Sequence, residues 1–191
     1  MAADDTPRKV SDYFSAPSWE PLCAVGGHDS GAVNAQICVS ISGASIVPEQ
    51  PRLVVMLWKS NYTHDLVMKS GSMAITMLSR GQLHLLDPLG LRTGRDTPKL
   101  EGIDVRLTAS GDPYFPGGVG YTDCRVLERL DLGDCTAFFV GVRNEERLSS
   151  EEPITWQQAS ELLDKDFLAR YGAKFTADRK RAAAEMRWLQ R

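Results

Sequence analysis

The chain has few cysteines, and none is placed as a metal or redox pair. Its four cysteines, Cys23, Cys38, Cys124 and Cys135, are widely separated in 191 residues, and no C-x-x-C pair occurs. Zinc sites and disulfide frameworks use closer, repeated spacings. We therefore expect no metal site, and four small buried hydrophobic residues instead.

Long apolar runs and an excess of positive charge are also lacking. The run at residues 53–58 is far shorter than the roughly 18 residues that span a bilayer. The N-terminal residues 1–7 are polar and acidic, unlike a signal peptide. The net charge of −3 gives no reason to expect nucleic acid. These observations predict a soluble cytoplasmic protein with neither membrane nor nucleic acid as its partner.

Neither a G-x-G-x-x-G nor a G-x-x-x-x-G-K-[ST] motif occurs, so a Rossmann or P-loop site is not expected. What is present is an ordinary globular composition, 42% hydrophobic and 25% charged, which is enough for one core. Several short strands separated by turn signals predict a closed or partly closed β-barrel. The predicted strands are residues 22–25 (ending at Gly26-Gly27), 34–42, 53–58, 73–78, 103–107, 121–130 and 135–143, the last two as a hairpin.

Helices are predicted between and after these strands. One begins after Asn61 and ends at Gly71, and a few helical turns at residues 82–86 end before Pro88. Residues 88–102 are predicted to be a mobile loop of the kind that covers ligands. We expect an N-terminal arm at 1–14, a barrel domain at 15–145 and a helical extension at 146–191.

In that extension, Thr155 and Thr176 are predicted to cap helices that run to residues 163 and 189. From Lys165 onward the extension has eight lysines and arginines against three acidic residues. This is either a solvated helix face or a docking surface for an acidic partner.

The stretch 26–63 carries most of the functional signal. A buried strand at 53–58 leads into Lys59, Ser60, Asn61 and the first turn of a helix. The N–H groups and positive dipole end of a helix N-terminus suit a phosphate, and a lysine and hydroxyls crowd the same point. The stretch is therefore predicted to hold a phosphorylated ligand against a β framework.

The order of several motifs resembles that of the flavin reductase-like family, the FMN-binding split barrels. The matching segments are Asn34-Ala35-Gln36-Ile37, Lys59-x-x-Tyr62-Thr63-His64-x-Leu66, Thr76-Met77-Leu78-Ser79, Tyr121-x-x-Cys124-x-Val126 and Gly133-Asp134-x-Thr136. The resemblance implies a mainly β, Greek-key split barrel with flanking helices, and a homodimer with FMN, or FAD, at the subunit interface. It implies hydride transfer from NADH or NADPH to flavin N5.

The resemblance also implies which residues contact the flavin. They are Asn34, Ala35, Gln36, Ile37, Cys38, Lys59, Ser60, Asn61, Tyr62, Thr63, Ser79 and Gln82. Strand backbone at 34–38 would present N–H groups to the ring, and residues 59–63 would hold the phosphate. Ser79 could equally be a helix cap, and His64 could simply pack.

Cys135 departs from the family pattern, in which histidine commonly follows Gly-Asp near the reactive face of the flavin. Cys135 is the candidate catalytic position, and the departure leaves open how the protein would bind and react with a nicotinamide. Two alternatives therefore stand beside the flavin reductase. They are a non-catalytic flavin carrier or electron-transfer module that serves a partner enzyme, and the pyridoxamine-phosphate oxidase-like branch of the same fold.

Overall fold

The computed structural model describes residues 20–186. Its centre is a seven-stranded sheet in the order β2-β1-β5-β8-β9-β4-β3, in which every neighbouring pair is antiparallel. The strands are β1 (Cys23–Asp29), β2 (Ala32–Cys38), β3 (Ile41–Gly43), β4 (Arg52–Trp58), β5 (Ser72–Met77), β8 (Gly120–Asp131) and β9 (Cys135–Arg147). A two-stranded sheet pairs β6 (Arg106–Leu107) with β7 (Pro113–Tyr114). The predicted mainly β class is confirmed.

The chain connection between β2 and β3 explains why the sheet curls. Only two residues, 39 and 40, separate these strands, yet they lie at opposite edges of the sheet. A flat sheet of seven strands would be far too wide for that connection, since neighbouring strands lie about 4.8 Å apart. The single strand predicted at 34–42 is therefore wrong, because the chain leaves one edge and joins the other within it. Ser40 O accepts from Met56 N at 3.0 Å, so the connection already pairs with β4 one residue before β3 begins.

The predicted hairpin at the end of the barrel is confirmed, and both strands are longer than expected. Register shifts occur between Asp123 and Cys124 and between Val126 and Glu128. Such irregularities bend a strand and increase its twist, which lets one long hairpin follow the curved sheet.

Helix α1 (Tyr62–Ser70) begins and ends where the sequence predicts. Asn61 is its N-cap, and Gly71 closes it in the left-handed region with φ of 69°. Leu66 and Val67 are buried against β1. A Cβ on Gly27 would stand 2.9 Å from Val67 Cγ2, so the close packing of helix on strand needs glycine there. The first strand accordingly runs on through Gly26-Gly27, and the predicted strand end at that point is wrong.

The C-terminal extension forms two helices, α2 (Trp156–Leu162) and α3 (Lys165–Glu185). The predicted capping box of Thr155 and Gln158 is confirmed. The predicted helix start at Thr176 is wrong, because α3 begins after Asp164, whose carboxylate accepts from Phe167 N at 2.7 Å. Thr176 lies inside α3 and donates its hydroxyl hydrogen bond to Gly172 O. The predicted end at residue 189 and the arm at 1–14 lie outside the described residues.

Two further predictions are corrected between β5 and β7. A 3₁₀ helix at Arg80–Leu85 continues into a π-helix at Asp87–Leu91, so helical structure does not stop before Pro88. Proline is tolerated there because it lies in the first turn, where no N–H partner is needed. Of the strand predicted at 103–107, only Arg106–Leu107 pairs.

Two buried clusters stabilise the fold. One fills the curled sheet and includes Val25, Val55 and Phe138. The other joins the sheet to the helical segments and includes Leu89 and Phe167. All four cysteines are buried, as predicted, and each is a free thiol in the structure. Among residues 20–186, no helix combines the length and apolar character needed to cross a bilayer.

Candidate functional site

A cavity of about 970 Å³ lies against the edge strand β2. Its walls come from β2, from β4, from the N-terminus of α1, from the segment 86–99 and from α3. This volume is at the upper end of the range for small-molecule sites, about 300–1,000 Å³. Eight of the twelve predicted flavin contacts line it, namely Asn34, Gln36, Ile37, Cys38, Ser60, Asn61, Tyr62 and Thr63.

Strand β2 supplies the first wall. Because β2 is a sheet edge, one row of its backbone N–H and C=O groups has no strand partner. Ala35 is fully buried and does not line the cavity, since it packs into the cluster that joins sheet and helices. The wall therefore combines free backbone groups of residues 34–38 with the side chain of Ile37, whereas the side chains of Gln36 and Cys38 point into the curled sheet.

Gln36 carries an unsatisfied polar atom behind this wall. Its side chain is only 6% exposed, and its Oε1 has no hydrogen-bond partner among the described residues. A buried acceptor without a donor costs about 1–3 kcal/mol. Because Gln36 pairs with Val25 of the cluster inside the curled sheet, its side chain points away from the cavity, and the contribution of residue 36 to the wall is its backbone.

The N-terminus of α1 supplies the second wall. The Asn61 side chain makes no capping hydrogen bond, so the N–H groups of the first turn keep no side-chain cap. Thr63 is fully buried and its Oγ1 accepts from Asn34 Nδ2 at 2.8 Å, which ties the helix to β2. Uncapped N–H groups beside Ser60 and Tyr62 can bind an anion.

Lys59 has a different position from the one its motif suggests. Its Nζ lies 2.6 Å from Asp131 Oδ1, and the side chain does not line the cavity. A role for Lys59 in phosphate binding stays a prediction, which requires exchange of Asp131 for the ligand. His64 faces the barrel interior, where its Nε2 lies 2.9 Å from Thr136 Oγ1 and its ring packs on Phe138. Burial lowers the His64 pKa, so it serves as a neutral packing residue.

Ser79 and Gln82 lie apart from the cavity lining. Both are buried, and Ser79 N donates to Gln82 Oε1 at 3.4 Å, the cap arrangement that was the alternative interpretation. The Ser79 hydroxyl donates to Gly117 O at 2.9 Å. In this structure the two residues hold the 3₁₀ helix against the 117 turn.

Cys135 begins β9 directly opposite Trp58, which lines the cavity. Residue 135 therefore shares the outer sheet face with Trp58, whereas Thr136 points into the barrel. Burial, followed by the Asp134 charge, raises the pKa of the Cys135 thiol to about 11. The thiol is protonated at neutral pH and is not poised as a nucleophile.

Two further walls of the cavity consist of residues that were not predicted as site residues. Gly94 and Lys99 come from the segment 88–102, which was predicted to be a mobile loop. Residues 88–91 of it are helical, and its position over the cavity is what the structure shows. From α3 come Tyr171, Lys174 and Phe175, all on one face of the helix. Their spacing of three and four residues was a visible signal, but nothing local indicates where a helix docks.

The profile described as the flavin reductase like domain matches residues 19–161. The chain belongs to this family. The match covers every strand and stops before α3, so the split-barrel fold implied by the sequence motifs is confirmed and α3 lies outside the shared domain.

Two curated relatives are similar to this chain. It is 27% identical over 113 residues to a high molecular weight rubredoxin of Moorella thermoacetica, covering 58% of this chain and 49% of the rubredoxin. The chain thus spans about half the length of that relative. It is 24% identical over 137 residues to a ferric-chelate reductase (NAD(P)H) of Archaeoglobus fulgidus, covering 71% of this chain and 80% of the reductase.

Solved structures share the fold. An FMN-binding protein from Thermus thermophilus with bound 1-cyclohex-2-enone superposes with a TM-score of 0.65 at 22% identity, covering 80% of this chain and 86% of that one. The NADH:FAD oxidoreductase of Streptomyces globisporus, in complex with NAD and FAD fragments, gives 0.64 at 19% identity, covering 73% and 82%.

Proposed function

We propose that this protein is an NAD(P)H-dependent flavin reductase that holds FMN, or FAD, in the cavity beside β2. The observation that carries the proposal is that the unpaired backbone edge of β2 and the uncapped N-terminus of α1 line one cavity. A flavin nucleotide has both complements, the polar rim of its ring and a phosphate. The family membership and the relatives that are reductases support this function.

The residues present fit the group. The free backbone edge of β2 would bind the ring's polar rim, and the first turn of α1 would bind the phosphate. Trp58 and Phe175, with ring centroids 6.2 Å apart, would cover an aromatic ring and exclude water. When bound, the flavin would supply the redox chemistry by taking hydride at N5 from the nicotinamide C4 of NADH or NADPH.

No side-chain acid or base is required by this arrangement. The contribution of the chain is positioning and hydrogen bonding, consistent with a protonated Cys135 and a neutral His64. Equilibrium titration of the purified protein with FMN, followed by tryptophan fluorescence and visible absorption, tests the binding step. Oxidation of NADH or NADPH with added FMN tests the reaction, and failure of uptake at saturating FMN would overturn the proposal.

A second function is favoured by one observation. The relative of which this chain covers 49% is a high molecular weight rubredoxin, which suggests a module that passes electrons to a partner domain or protein. In that case the bound flavin would be reduced by a partner rather than by NADH or NADPH. Stopped-flow mixing of the flavin-loaded protein with either nicotinamide separates the two functions, because a pure carrier would remain oxidised.

We also propose a homodimer, in line with the resemblance. Met56, Leu130 and Phe139 are about half exposed and share the outer face of the sheet, because β4 and β8 pair with β9 in that register. Exposed apolar side chains grouped in this way mark an interaction surface. This outer face, defined by these three residues, continues to Trp58 at the cavity.

A further inference from the structure

The cavity contains a buried lysine without a carboxylate partner. Lys99 is 8% exposed, and its Nζ donates to Leu89 O at 3.4 Å and to Arg92 O at 3.2 Å. Within residues 20–186, no carboxylate forms an ion pair with it. Burying an ammonium group against two carbonyls alone is costly, so its charge needs an anion that the described chain does not supply.

Helix α3 adds positive charge at the same place. Lys174 lines the cavity with Lys99 and is close enough to act on it electrostatically. Asp178 pairs with Lys174, but Arg181, one turn further on, has no carboxylate partner among the described residues. Across the whole lining, five cationic side chains face two carboxylates, although the chain as a whole has a net charge of −3. The cavity therefore concentrates positive potential.

We propose that Lys99 and Lys174, with Arg181 at the rim, form a phosphate subsite that α3 completes. The ligand class is a phosphate ester or pyrophosphate of a nucleotide. This inference deepens the proposed function and rests on it for the identity of the nucleotide. It makes α3, which lies outside the family domain, a part of the binding site rather than a solvated appendage.

Burial, with Lys174 second, lowers the Lys99 pKa to about 8, which agrees with an amine that has lost water and gained no counter-ion. A bound phosphate would favour the charged form and return the pKa toward its ordinary value. The backbone carbonyls of Leu89, in the π-helix, and of Arg92, just after it, hold the amine in place, so the subsite is already formed without ligand.

The test compares Lys99→Met and the double variant Lys174→Gln/Asp178→Asn with a matched control. Lys180→Met removes an exposed lysine of α3 that does not line the cavity. The double variant keeps a hydrogen-bonding pair on the helix while removing its charges. Dissociation constants for riboflavin, FMN and FAD, and KM values for NADH and NADPH, are measured for each, and circular dichroism confirms folding.

Loss of one charge-assisted contact should weaken a phosphorylated ligand about tenfold or more. Weakening of FMN and FAD with riboflavin unchanged assigns the subsite to the flavin phosphates. A higher KM for both nicotinamides with FMN binding unchanged assigns it to their phosphates. Equal values for Lys99→Met and Lys180→Met with every ligand, or equal weakening of riboflavin and FMN, would overturn the proposal.

The effect of pyrophosphate alone on the melting temperature tests the subsite independently of the proposed function. If the wild type takes up no flavin, the proposed function fails, but the subsite still predicts that pyrophosphate raises the melting temperature of the wild type. The same addition should leave the melting temperature of Lys99→Met unchanged. An equal effect of pyrophosphate on both proteins, or no effect on either, would overturn the subsite.

Discussion

Gly94 lies directly against Asn34: a Cβ at position 94 would stand 2.2 Å from Asn34 Oδ1. The segment that covers the cavity therefore rests on the same side chain whose Nδ2 donates to Thr63 Oγ1 at 2.8 Å. One close contact links the cover, the strand edge and the helix N-terminus. The three walls are consequently coupled, and a displacement of one should change the positions of the other two.

Gly94→Ala should disturb this link. The added methyl forces Asn34 or the covering segment to move, which breaks or lengthens the bond to Thr63. We expect FMN affinity to fall about tenfold, the effect of about 1.4 kcal/mol. Gly43→Ala is the control, since a Cβ there meets nothing within 4 Å. Unchanged affinity in Gly94→Ala would show that the walls move independently.

The pKa of Lys99 gives a prediction of stability against pH. The pKa is about 8 in the folded chain and 10.5 as the ordinary value, so between these pH values the unfolded chain binds more protons. By linkage, this group makes the ligand-free protein more stable as pH rises from about 8 to 10.5. Lys99→Met lacks the effect. The charged groups that share the cavity with Lys99 are Asp87, Arg92, Arg170, Lys174, Asp178 and Arg181.

The measurement is the difference in free energy of unfolding between Lys99→Met and the wild type, from urea titrations at pH 7, 9 and 10.5. The free energy of unfolding of Lys99→Met, relative to that of the wild type, should be highest at pH 7. This difference should shrink by on the order of 3 kcal/mol by pH 10.5, at 1.36 kcal/mol per pKa unit. A difference independent of pH would mean that the folded Lys99 titrates normally.

Phe175→Ala should open the aromatic cover. The Phe175 ring lies 6.2 Å from that of Trp58, and both side chains line the cavity. Loss of an aromatic contact of about 0.5–1.5 kcal/mol should raise the rate of flavin dissociation about two- to tenfold. Global stability should change little, because Phe175 is more than one third exposed. Leu162→Ala, at a similarly exposed helical position, is the control, and equal dissociation rates would remove Phe175 from the site.

Local sequence signals predicted the strands, α1 and the hairpin because each signal is contained in a short segment. Asn61 and Gly71 bound a helix by their own backbone preferences. The predictions that were wrong concern features set by long-range packing. The strand break at Ser40 follows from closure of the sheet. The predicted helix start at Thr176 is wrong because Asp164 caps one continuous helix that contains Thr176.

The predicted site residues show the same difference between local signals and long-range contacts. Asn34, Gln36 and Thr63 lie in segments with a family motif and line one cavity, and their contact with a flavin stays a prediction. Lys59 carried the same signal, yet a partner 72 positions away, Asp131, engages its amine. No spacing in the sequence predicts that pairing. Lys99 gave no signal either, because its importance comes from burial.

Phe139→Asp should dissociate the proposed homodimer. Phe139 projects from the outer face, which also contains Met56 and Leu130, and an unpaired carboxylate there is costly to bury. Light scattering after size exclusion should give the mass of a dimer for the wild type and of a monomer for the variant. Leu107→Asp is the control at an exposed position on β6. A dimer that survives Phe139→Asp would place the interface elsewhere.

Cys135→His tests the one clear departure from the family pattern. Residue 135 sits opposite Trp58, on the sheet face that carries the cavity wall, and its thiol is protonated because burial raises its pKa to about 11. An imidazole adds a ring and a titratable nitrogen beside the wall without touching β2 or the N-terminus of α1. FMN affinity should therefore stay within about twofold of the wild type, since twofold is only about 0.4 kcal/mol.

The rate of flavin reduction by NADH or NADPH should rise in the same variant, measured by stopped flow on the flavin-loaded protein. Cys135→Ser is the control, because it keeps the size of the side chain and adds no ring. Equal reduction rates in all three proteins would exclude position 135 from nicotinamide handling. If no form is reduced by either nicotinamide, the flavin is reduced by a partner, and the electron-transfer function replaces the reductase.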